Sequence, residues 1–549
     1  MSALPRPLRA ACLALVLAGC RIAAPPAAVL RAPAVPPPAV PGPVQSTPVP
    51  AAPVLPAPPP IAREFRGAWI SPVWNGEWPR PGLSAEAQRS VLRGLLDQAR
   101  AMGLNAVVLH VRPAADALYP AARTPWSAYL TGRLGEAPDP YWDPLAFAVT
   151  EAHRRGLELH AWFNPFRAAP PDLRTDAAVR AAAPYAAYVV RYGAQPWIDP
   201  GIPSARRMVL DDILEVVERY DIDGVHLDDY FYPYVQQQEV RRRVRTGGRM
   251  RTVTRRENVA FPDSVSWERY GRSAGFTGRA AWRRSNIDDF VATLYREVKA
   301  VRPSVAVGIS PFGIWRPGSP AGITGLDAYG EIYADARRWL REGWLDYLAP
   351  QLYWPVAGAQ SRFTRLDEWW RAENVQGRHL WPGLFTERET AARNTWPSGE
   401  IVRQVDTLRM MRRAGDESLG HIHFRMHALR PDAEGGIGDG LRLRLYAEPA
   451  LTPPSPWLDA RVPAAPRVRA IPLETEERAV VLSVQAGDSV PVRWWAVQVL
   501  GADGGWRTLV HSPTDGPVRL PRAPLPRVVA VRAVSRTGIE SAPTSLRVP

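Results

Sequence analysis

Cysteine is almost missing from this chain: there are two, Cys12 and Cys20, and both fall within the first twenty of 549 residues. The body of the protein therefore has no disulfide framework, no thiolate-held zinc and no cysteine nucleophile. Lysine is scarce as well, and the formal charge of +14 is carried almost entirely by arginine. Such a balance suits an anionic envelope or a nucleic acid, and alone it does not choose between them. The arginine-rich insertion between Val235 and Trp282, densest from Arg241 to Arg256, lacks the interleaved aromatic residues on which single-stranded bases stack. No nucleic-acid partner is expected. A solvated, mobile loop is the expectation there, with a clamp for an anionic glycan or lipid head group as the functional alternative.

Long apolar runs are missing too. The stretch Ala10–Ala18 is too short to cross a bilayer as a mature helix. Preceded by Arg6 and Arg9 and ending in Leu17-Ala18-Gly19-Cys20, it reads as a secretory signal over residues 1–20. The ending resembles the lipobox of bacterial lipoproteins, which implies acylation of Cys20 and attachment to a membrane through that lipid. Arg21 stands where an aspartate would suggest inner-membrane retention, so the periplasmic side of the outer membrane is the expected location. Proline, at 59 residues, is in excess, and much of it lies in a Pro/Ala/Val stretch over 21–60. That composition forms an extended linker, at ~3.1 Å per residue a tether of roughly 100 Å, and cannot build a core.

From Arg63 onward, short apolar runs alternate with amphipathic stretches. The runs are 66–73, 106–111, 157–163, 224–229, 305–309, 347–352, 379–384 and 421–426; helices are expected over 84–102, 143–155, 204–220, 286–301, 331–342 and 398–413. Eight apolar runs separated by helices predict parallel βαβ units closed into a (β/α)8 TIM barrel over 61–450, with a doubly wound open sheet as the rival. After Pro453-Pro454-Ser455-Pro456 short strand-like runs alternate with turn residues, which predicts a small all-β sandwich over 460–549. Its ending, AVRAVSRTGIESAP, resembles the last strands of a fibronectin type III domain.

A barrel carries its site at the carboxyl ends of its strands. Those ends hold Trp74, Asn75, Glu77, Arg112, Asp116, Asn164, Arg167, Asp228, Asp229, Tyr230, Tyr232, Trp315, Gln351 and Tyr353. Aromatic rings beside amides, guanidinium groups and carboxylates suit a sugar, whose C–H faces stack on rings while its hydroxyls take hydrogen bonds. In Asp223–Tyr230, strand alternation puts Gly224, His226, Asp228 and Tyr230 on one face, so Asp228 emerges at the strand top facing the axis. A carboxylate there serves as nucleophile, charge stabiliser or base, and hydrolysis usually needs a second carboxyl ~5–5.5 Å away for retention or ~6.5–9.5 Å for inversion. Asp229 is the first candidate, with Asp116 and Glu77 behind it. Convergence of His110, His160 and His226 with Asp228 on a metal is the alternative chemistry; with His421-Ile422-His423 the one close ligand-type pair, neither a metal nor another cofactor is expected.

The strings RGAWISPVWNGEWP (66–79), VRPAADALYPAARTPWSAYLTG (111–132), WDPLAFAVTEAHRRGLELHAWFNPFRA (142–168), DPGIPSARR (199–207), DGVHLDDYFYP (223–233), GISPFGIWRPG (308–318) and DYLAPQLYWP (346–355) run in this order and resemble the glycosyl hydrolase-like family 10, once numbered 187 among bacterial domains of unknown function. The resemblance implies a TIM barrel, export, and hydrolysis of glycan, with peptidoglycan strands freed of stem peptides as the associated substrate. Strand four is also similar to its counterpart in α-amylase-like enzymes, which implies Asp228 as nucleophile with His226 replacing an arginine. Chitinases carry a glutamate where this chain has Tyr230, so their acid is not carried over. The expected function is envelope-anchored glycoside hydrolysis, with Asp228 and Asp229 catalytic and Trp74, Arg112, Asp116, Asn164, Arg167, His226, Tyr230, Tyr232, Trp315, Gln351 and Tyr353 holding the polysaccharide. Division or envelope proteins are possible partners. A non-catalytic glycan-binding scaffold and a metal-dependent deacetylase are the rival readings.

Overall fold

Eight parallel strands form the body of the protein: β1 (Phe65–Ile70), β2 (Ala106–Arg112), β3 (Glu158–Phe163), β4 (Gly224–Leu227), β5 (Ala306–Ile309), β6 (Tyr347–Leu348), β7 (His379–Leu380 with Gly383–Leu384) and β8 (Gly420–His423). The computed structural model describes residues 55–548 apart from 75, 171–182, 194, 247–248, 357–361, 391–395, 413–418, 431–435, 474–479 and 521–525. Asn75, the expected signal with Cys20, and the expected linker as far as Val54 lie outside the described residues.

Each strand pairs in parallel with its neighbour in sequence, and β8 pairs with β1 through Gly420↔Phe65 to His423↔Ala68. The two ends of the sheet order are halves of the single run β7, interrupted at Trp381-Pro382. Pro382 has no N–H to give a ladder, yet Trp381 N donates to Leu348 O at 2.9 Å and Ile422 N to Pro382 O at 3.0 Å, so hydrogen bonding continues across the break. The arrangement fits a (β/α)8 barrel and not an open sheet. All eight expected runs carry strand, and the six expected helices are present over 85–101, 144–154, 203–219, 279–301, 336–342 and 400–410. The helix Arg362–Glu373 was not anticipated. Its buried stripe is Phe363, Leu366, Asp367 and Trp370, and the aspartate, bound by Arg371 Nε at 2.6 Å, interrupts the apolar pattern.

Alternation along the strands sends one set of side chains outward to the helices and another to the axis. The axial set includes Phe65, Trp69, Ala106, Val108, Trp162, Tyr347, Trp381 and Ile422. Phe65 stacks on Trp381 with centroids 3.8 Å apart. Polar groups in this interior are joined in one directed chain. Trp69 Nε1 donates to His226 Nε2 (3.2 Å), so His226 Nδ1 carries the proton toward the Tyr347 hydroxyl (2.9 Å), which lies 2.9 Å from His160 Nδ1. This plug leaves no room at two strand glycines: a Cβ on Gly308 would meet the Tyr347 ring at 1.8 Å, and one on Gly224 would meet His160 at 2.3 Å.

The insertion expected as a mobile loop is instead an antiparallel hairpin arm, paired from Gln237↔Asn258 to Thr246↔Arg249. Val240, Val244 and Val253 share one face of it and are half-buried, an alternation hidden in the sequence by the arginines between them. The C-terminal strands form two antiparallel sheets, 467–472/480–485/518–519 and 506–511/492–500/528–535/544–547, around Leu482, Trp495, Val497, Val529 and Val531.

The sandwich holds the amino-terminal ends of the barrel strands. Arg493 reaches Asp223 Oδ1 at 2.6 Å, directly before β4, and Trp457 Nε1 donates to Asp346 Oδ1 at 2.9 Å, directly before β6. Burial works against charge on Asp223, but the Arg493 guanidinium and His153 beside it hold the carboxyl below the usual carboxylate range. Replacing Arg493 by alanine leaves that carboxylate buried without its main partner, a loss of about 3–5 kcal/mol. A clear fall in the thermal unfolding midpoint is expected of Arg493→Ala; an unchanged midpoint would show that the clamp contributes nothing.

Candidate active site

At the carboxyl ends of the strands lies a cavity of about 250 Å³. Seven of the eight strand ends reach it: Ser71 and Trp74 after β1, His110 and Pro113 at β2, Trp162, Asn164 and Arg167 at β3, Asp228, Asp229, Tyr230 and Tyr234 after β4, Gln351 and Tyr353 after β6, Glu387 after β7, and Phe424 and Arg425 after β8.

Asp228 is seated by its neighbours. Trp162 Nε1 and Asn164 Nδ2 both donate to Oδ2 at 3.1 Å, and Tyr230 N donates to Oδ1 at 3.3 Å. Burial, followed by the adjacent Asp229, pushes the Asp228 carboxyl up to about 7 against the opposing pull of Arg167. Asp229 is raised as well, mainly by burial, while hydrogen bonds from the Tyr234 hydroxyl and Gln351 oppose the shift. Two carboxyls, adjacent and largely dry, are thus both shifted upward from the ordinary aspartate range. Below them His110 lies flat on Trp162, centroids 3.8 Å apart, and burial together with Arg167 holds its imidazole neutral. His110 Nε2 and Arg167 Nε are buried without a hydrogen-bond partner among the described residues. Arg167 Nε is thus a donor at the cavity wall with capacity for a substrate oxygen, and His110 Nε2 is a ring nitrogen with a hydrogen bond still to make.

The facing wall is a second charged cluster. Arg425 Nε contacts Glu387 Oε1 at 2.5 Å and Arg425 Nη1 lies 3.6 Å from Glu77; His427 lies between the same two carboxylates, 3.0 Å from Glu77 and 3.3 Å from Glu387. Burial acts on Glu77 to raise it, yet His427 and Arg425 bring it below its ordinary range, and it also accepts from Ser71 N at 3.2 Å. Glu77 is thereby committed to structure, whereas Glu387 opens on the cavity.

Trp74 sits at the lip with 63% of its surface exposed and a left-handed backbone, φ 59°. A tryptophan held there costs about 1–3 kcal/mol, so the loop presents an apolar ring to solvent at a conformational cost. Tyr353 and Phe424, with centroids 6.0 Å apart, supply further rings inside.

Of the residues singled out in the sequence, Trp74, Asn164, Arg167, Asp228, Asp229, Tyr230, Gln351 and Tyr353 come together here. Five others do not. Arg112 is fully buried, 3.3 Å from Asp212, and donates to Asn164 O at 2.8 Å, so it braces the loop behind Asn164. Asp116 is fully buried and accepts from Ala114 N at 3.0 Å, closing the turn after β2. His226 belongs to the plug beneath the site. Tyr232 packs on Phe261 and Tyr333. Trp315 donates to Asp335 at 2.9 Å and stacks on Trp369. Strand alternation gives the face on which a side chain lies but not its depth, and these five sit too deep or beyond the rim. The histidines of the metal alternative do not converge on Asp228: His160 and His226 share Tyr347, and among the described residues no group of three His, Cys, Asp or Glu side chains is arranged to hold a metal ion.

Glu387, Arg425, Phe424, Tyr234, Ser71 and Trp162 were missed. The first three follow the ends of β7 and β8, where the same strand-end rule applies and the strings Phe385-Thr386-Glu387-Arg388 and Phe424-Arg425 were the available signal.

The glycosyl hydrolase-like 10 family model matches residues 64–394. The chain belongs to this family. Glycosyl hydrolase YngK of Bacillus subtilis (strain 168) is 39% identical over 419 residues, covering 74% of this chain and 76% of that protein. Glycosyl hydrolase DigH of Escherichia coli (strain K12) is 34% identical over 331 residues, 56% of this chain and 70% of its own length. Among solved structures, the PgaB (BpsB) glycoside hydrolase domain of Bordetella bronchiseptica superposes with a TM-score of 0.42 at 14% identity, over 70% of this chain and 98% of that one. Glycoside hydrolysis is the activity class of this glycosyl hydrolase-like 10 member. Its matched segment contains β1 to β7, with Asp228, Asp229 and Glu387, and ends before Phe424 and Arg425.

If the lip ring is a sugar platform, Trp74→Gly weakens glycan binding roughly tenfold, about 1.4 kcal/mol, without lowering the thermal midpoint, because glycine relaxes at positive φ. Calorimetric titration with chito-oligosaccharide checks it; unaltered affinity would remove Trp74 from the site.

Proposed function

We propose that this protein hydrolyses the glycan strands of the bacterial cell envelope, with stem-peptide-free peptidoglycan as its substrate. The observation that carries the catalytic reading is Asp228, a carboxyl held near neutrality at a largely dry strand end, facing a cavity whose other wall presents Glu387. Glycosidases work with two carboxyls flanking the scissile bond, one of them a proton donor with a raised pKa. Asp228 is that donor: with its carboxyl pushed up to about 7, about half of it is protonated at neutral pH, and that form delivers its proton to the leaving oxygen and later takes one from water. Glu387, contributed by a strand three places around the ring and bound by Arg425, is the companion carboxylate at the anomeric carbon. Asp229 tunes Asp228 and, through Tyr234 and Gln351, fixes its loop. The role of Asp228 thus shifts from the nucleophile implied by amylase-like enzymes to an acid.

The substrate assignment rests on the family resemblance and on a site that combines exposed rings with buried donors suited to hydroxyl and acetamido oxygens. The signal and Cys20 support lipid anchoring on the periplasmic side of the outer membrane, the 21–60 linker gives reach toward the wall, and we read the C-terminal sandwich as fibronectin type III-like, a spacer that braces the barrel from below. Envelope or division proteins are the natural protein partners at that address.

Asp228→Asn and Glu387→Gln are each expected to lower kcat for amidase-treated sacculi by at least a hundredfold, the scale of general acid–base catalysis, while binding is retained. Released oligosaccharides give the readout, and turnover kept by either variant would strike that residue from the mechanism. The pH dependence is more specific. The acid is active when protonated, so kcat/KM falls as pH rises through about 7. Asp229→Asn removes a negative neighbour that raises Asp228, so the alkaline limb moves to lower pH. A limb that stays in place in that variant would dissociate it from Asp228.

A further inference from the structure

The lip turn that carries Trp74 is sewn to both walls of the cleft. It closes on itself through Glu77 N to Ser71 O (2.8 Å) and Gly76 N to Pro72 O (3.1 Å). On the Asp228 side, the Ser71 hydroxyl lies 3.0 Å from His110 Nδ1 and accepts from Val73 N at 3.2 Å. On the opposite side, Arg425 Nη1 donates to Val73 O at 3.2 Å, one residue before Trp74. Nε of the same guanidinium contacts Glu387 Oε1 at 2.5 Å. One planar group therefore touches both the backbone that presents the lip ring and the companion carboxylate of the mechanism.

The sequence leaves room for this contact. A Cβ on Gly76 would lie 2.6 Å from Arg425 Nη1 and 1.8 Å from Ser71 O, so any side chain there displaces the guanidinium or opens the turn. Trp74 needs the support. A tryptophan at φ 59° persists only where its surroundings over-determine the backbone. A buried guanidinium bonded to the adjacent carbonyl is a charge-assisted contact, the stronger kind.

Size decides what the lip does. The cavity of about 250 Å³ falls below the roughly 300–1,000 Å³ of pockets that enclose a drug-sized ligand. A single saccharide unit fills it, and the next unit of a chain has to lie outside, where Trp74 stands exposed.

We propose that Arg425 is a positioning residue that sets chain-length specificity: by holding the lip turn it presents Trp74 to the unit beyond the cavity, so the site prefers a chain to a short fragment. The inference rests on the glycan reading above and deepens it. Because Nε and Nη1 belong to one rigid fork, platform and Glu387 keep a fixed spacing, and a chain stacked on the ring is held in register with the carboxylate inside. Lysine cannot do both. Its ammonium is a single point on a stem that ends one atom short of the Nη groups, so it keeps a charge beside Glu387 and loses Val73 O.

The test is calorimetric titration of the inactive Asp228→Asn full chain with a chito-disaccharide and a chito-hexasaccharide. The parent is expected to bind the longer ligand roughly tenfold more tightly than the shorter. Adding Trp74→Gly or Arg425→Lys removes most of that ratio, and the two together remove no more than either alone. Arg425→Gln, whose amide also falls short of Val73, behaves as the lysine variant does and serves if that variant folds poorly, judged by its thermal midpoint. This non-additivity is the sign of positioning, since an arginine that only stabilised the fold would leave the contribution of Trp74 intact. The proposal is overturned if the parent shows no preference for the longer chain. It is equally overturned if Trp74→Gly still costs its full factor in the Arg425→Lys background, or if Arg425→Lys keeps the parent ratio. Because titration needs no turnover, a failure of glycan cleavage in the active protein would sink the hydrolase reading and leave this one to be decided by binding.

Discussion

Desolvation of two neighbouring carboxyls is the constraint around which the molecule is arranged. Asp228 and Asp229 end one strand of a closed ring, and water is kept from them by what lies beneath: His110 on Trp162, then the His226–Tyr347–His160 chain, then stacked Phe65 and Trp381. In water, adjacent aspartates are both ionised. Here burial and mutual repulsion keep Asp228 near neutrality. The interior explains the glycines as well, since Gly224 and Gly308 leave the volume that the His160 and Tyr347 rings occupy.

The two ends of the barrel use charge in opposite ways. At the amino-terminal end Asp223 and Asp346 are matched by Arg493, Lys299 and Trp457, so carboxylates there hold the sandwich in place. At the carboxyl-terminal end the pairing is deliberately incomplete in function: Glu77 is fully engaged by Arg425 and His427, Glu387 shares them while facing the cavity, and Arg167 leans on Tyr230 with its Nε unpartnered. Stability is concentrated at one end and reactivity at the other, as the barrel architecture allows.

The barrel was legible because eight apolar runs recur in order with amphipathic helices between most of them, and the strand-four aspartates were legible because alternation places Asp228 at the axis. What could not be read was depth. Arg112, Asp116 and Tyr232 carry the same side-chain chemistry as true wall residues, and only packing reveals that Asp212, Ala114 and Phe261 have claimed them. Glu387 and Arg425 escaped notice for the converse reason: they stand in plain sequence after strands seven and eight, and their partnership depends on the closure of the ring. The hairpin arm was hidden by composition, because charge dominated a valine alternation that pairs ten residues with ten.

The state of Asp228 itself is the most direct test. Infrared difference spectra of the free protein against Asp228→Asn, recorded from pH 5 to 9, isolate its carboxyl stretch. The account predicts a protonated-carboxyl band that disappears with a midpoint near 7. A carboxylate band already complete at pH 5 would contradict it, and the acid would have to be sought elsewhere.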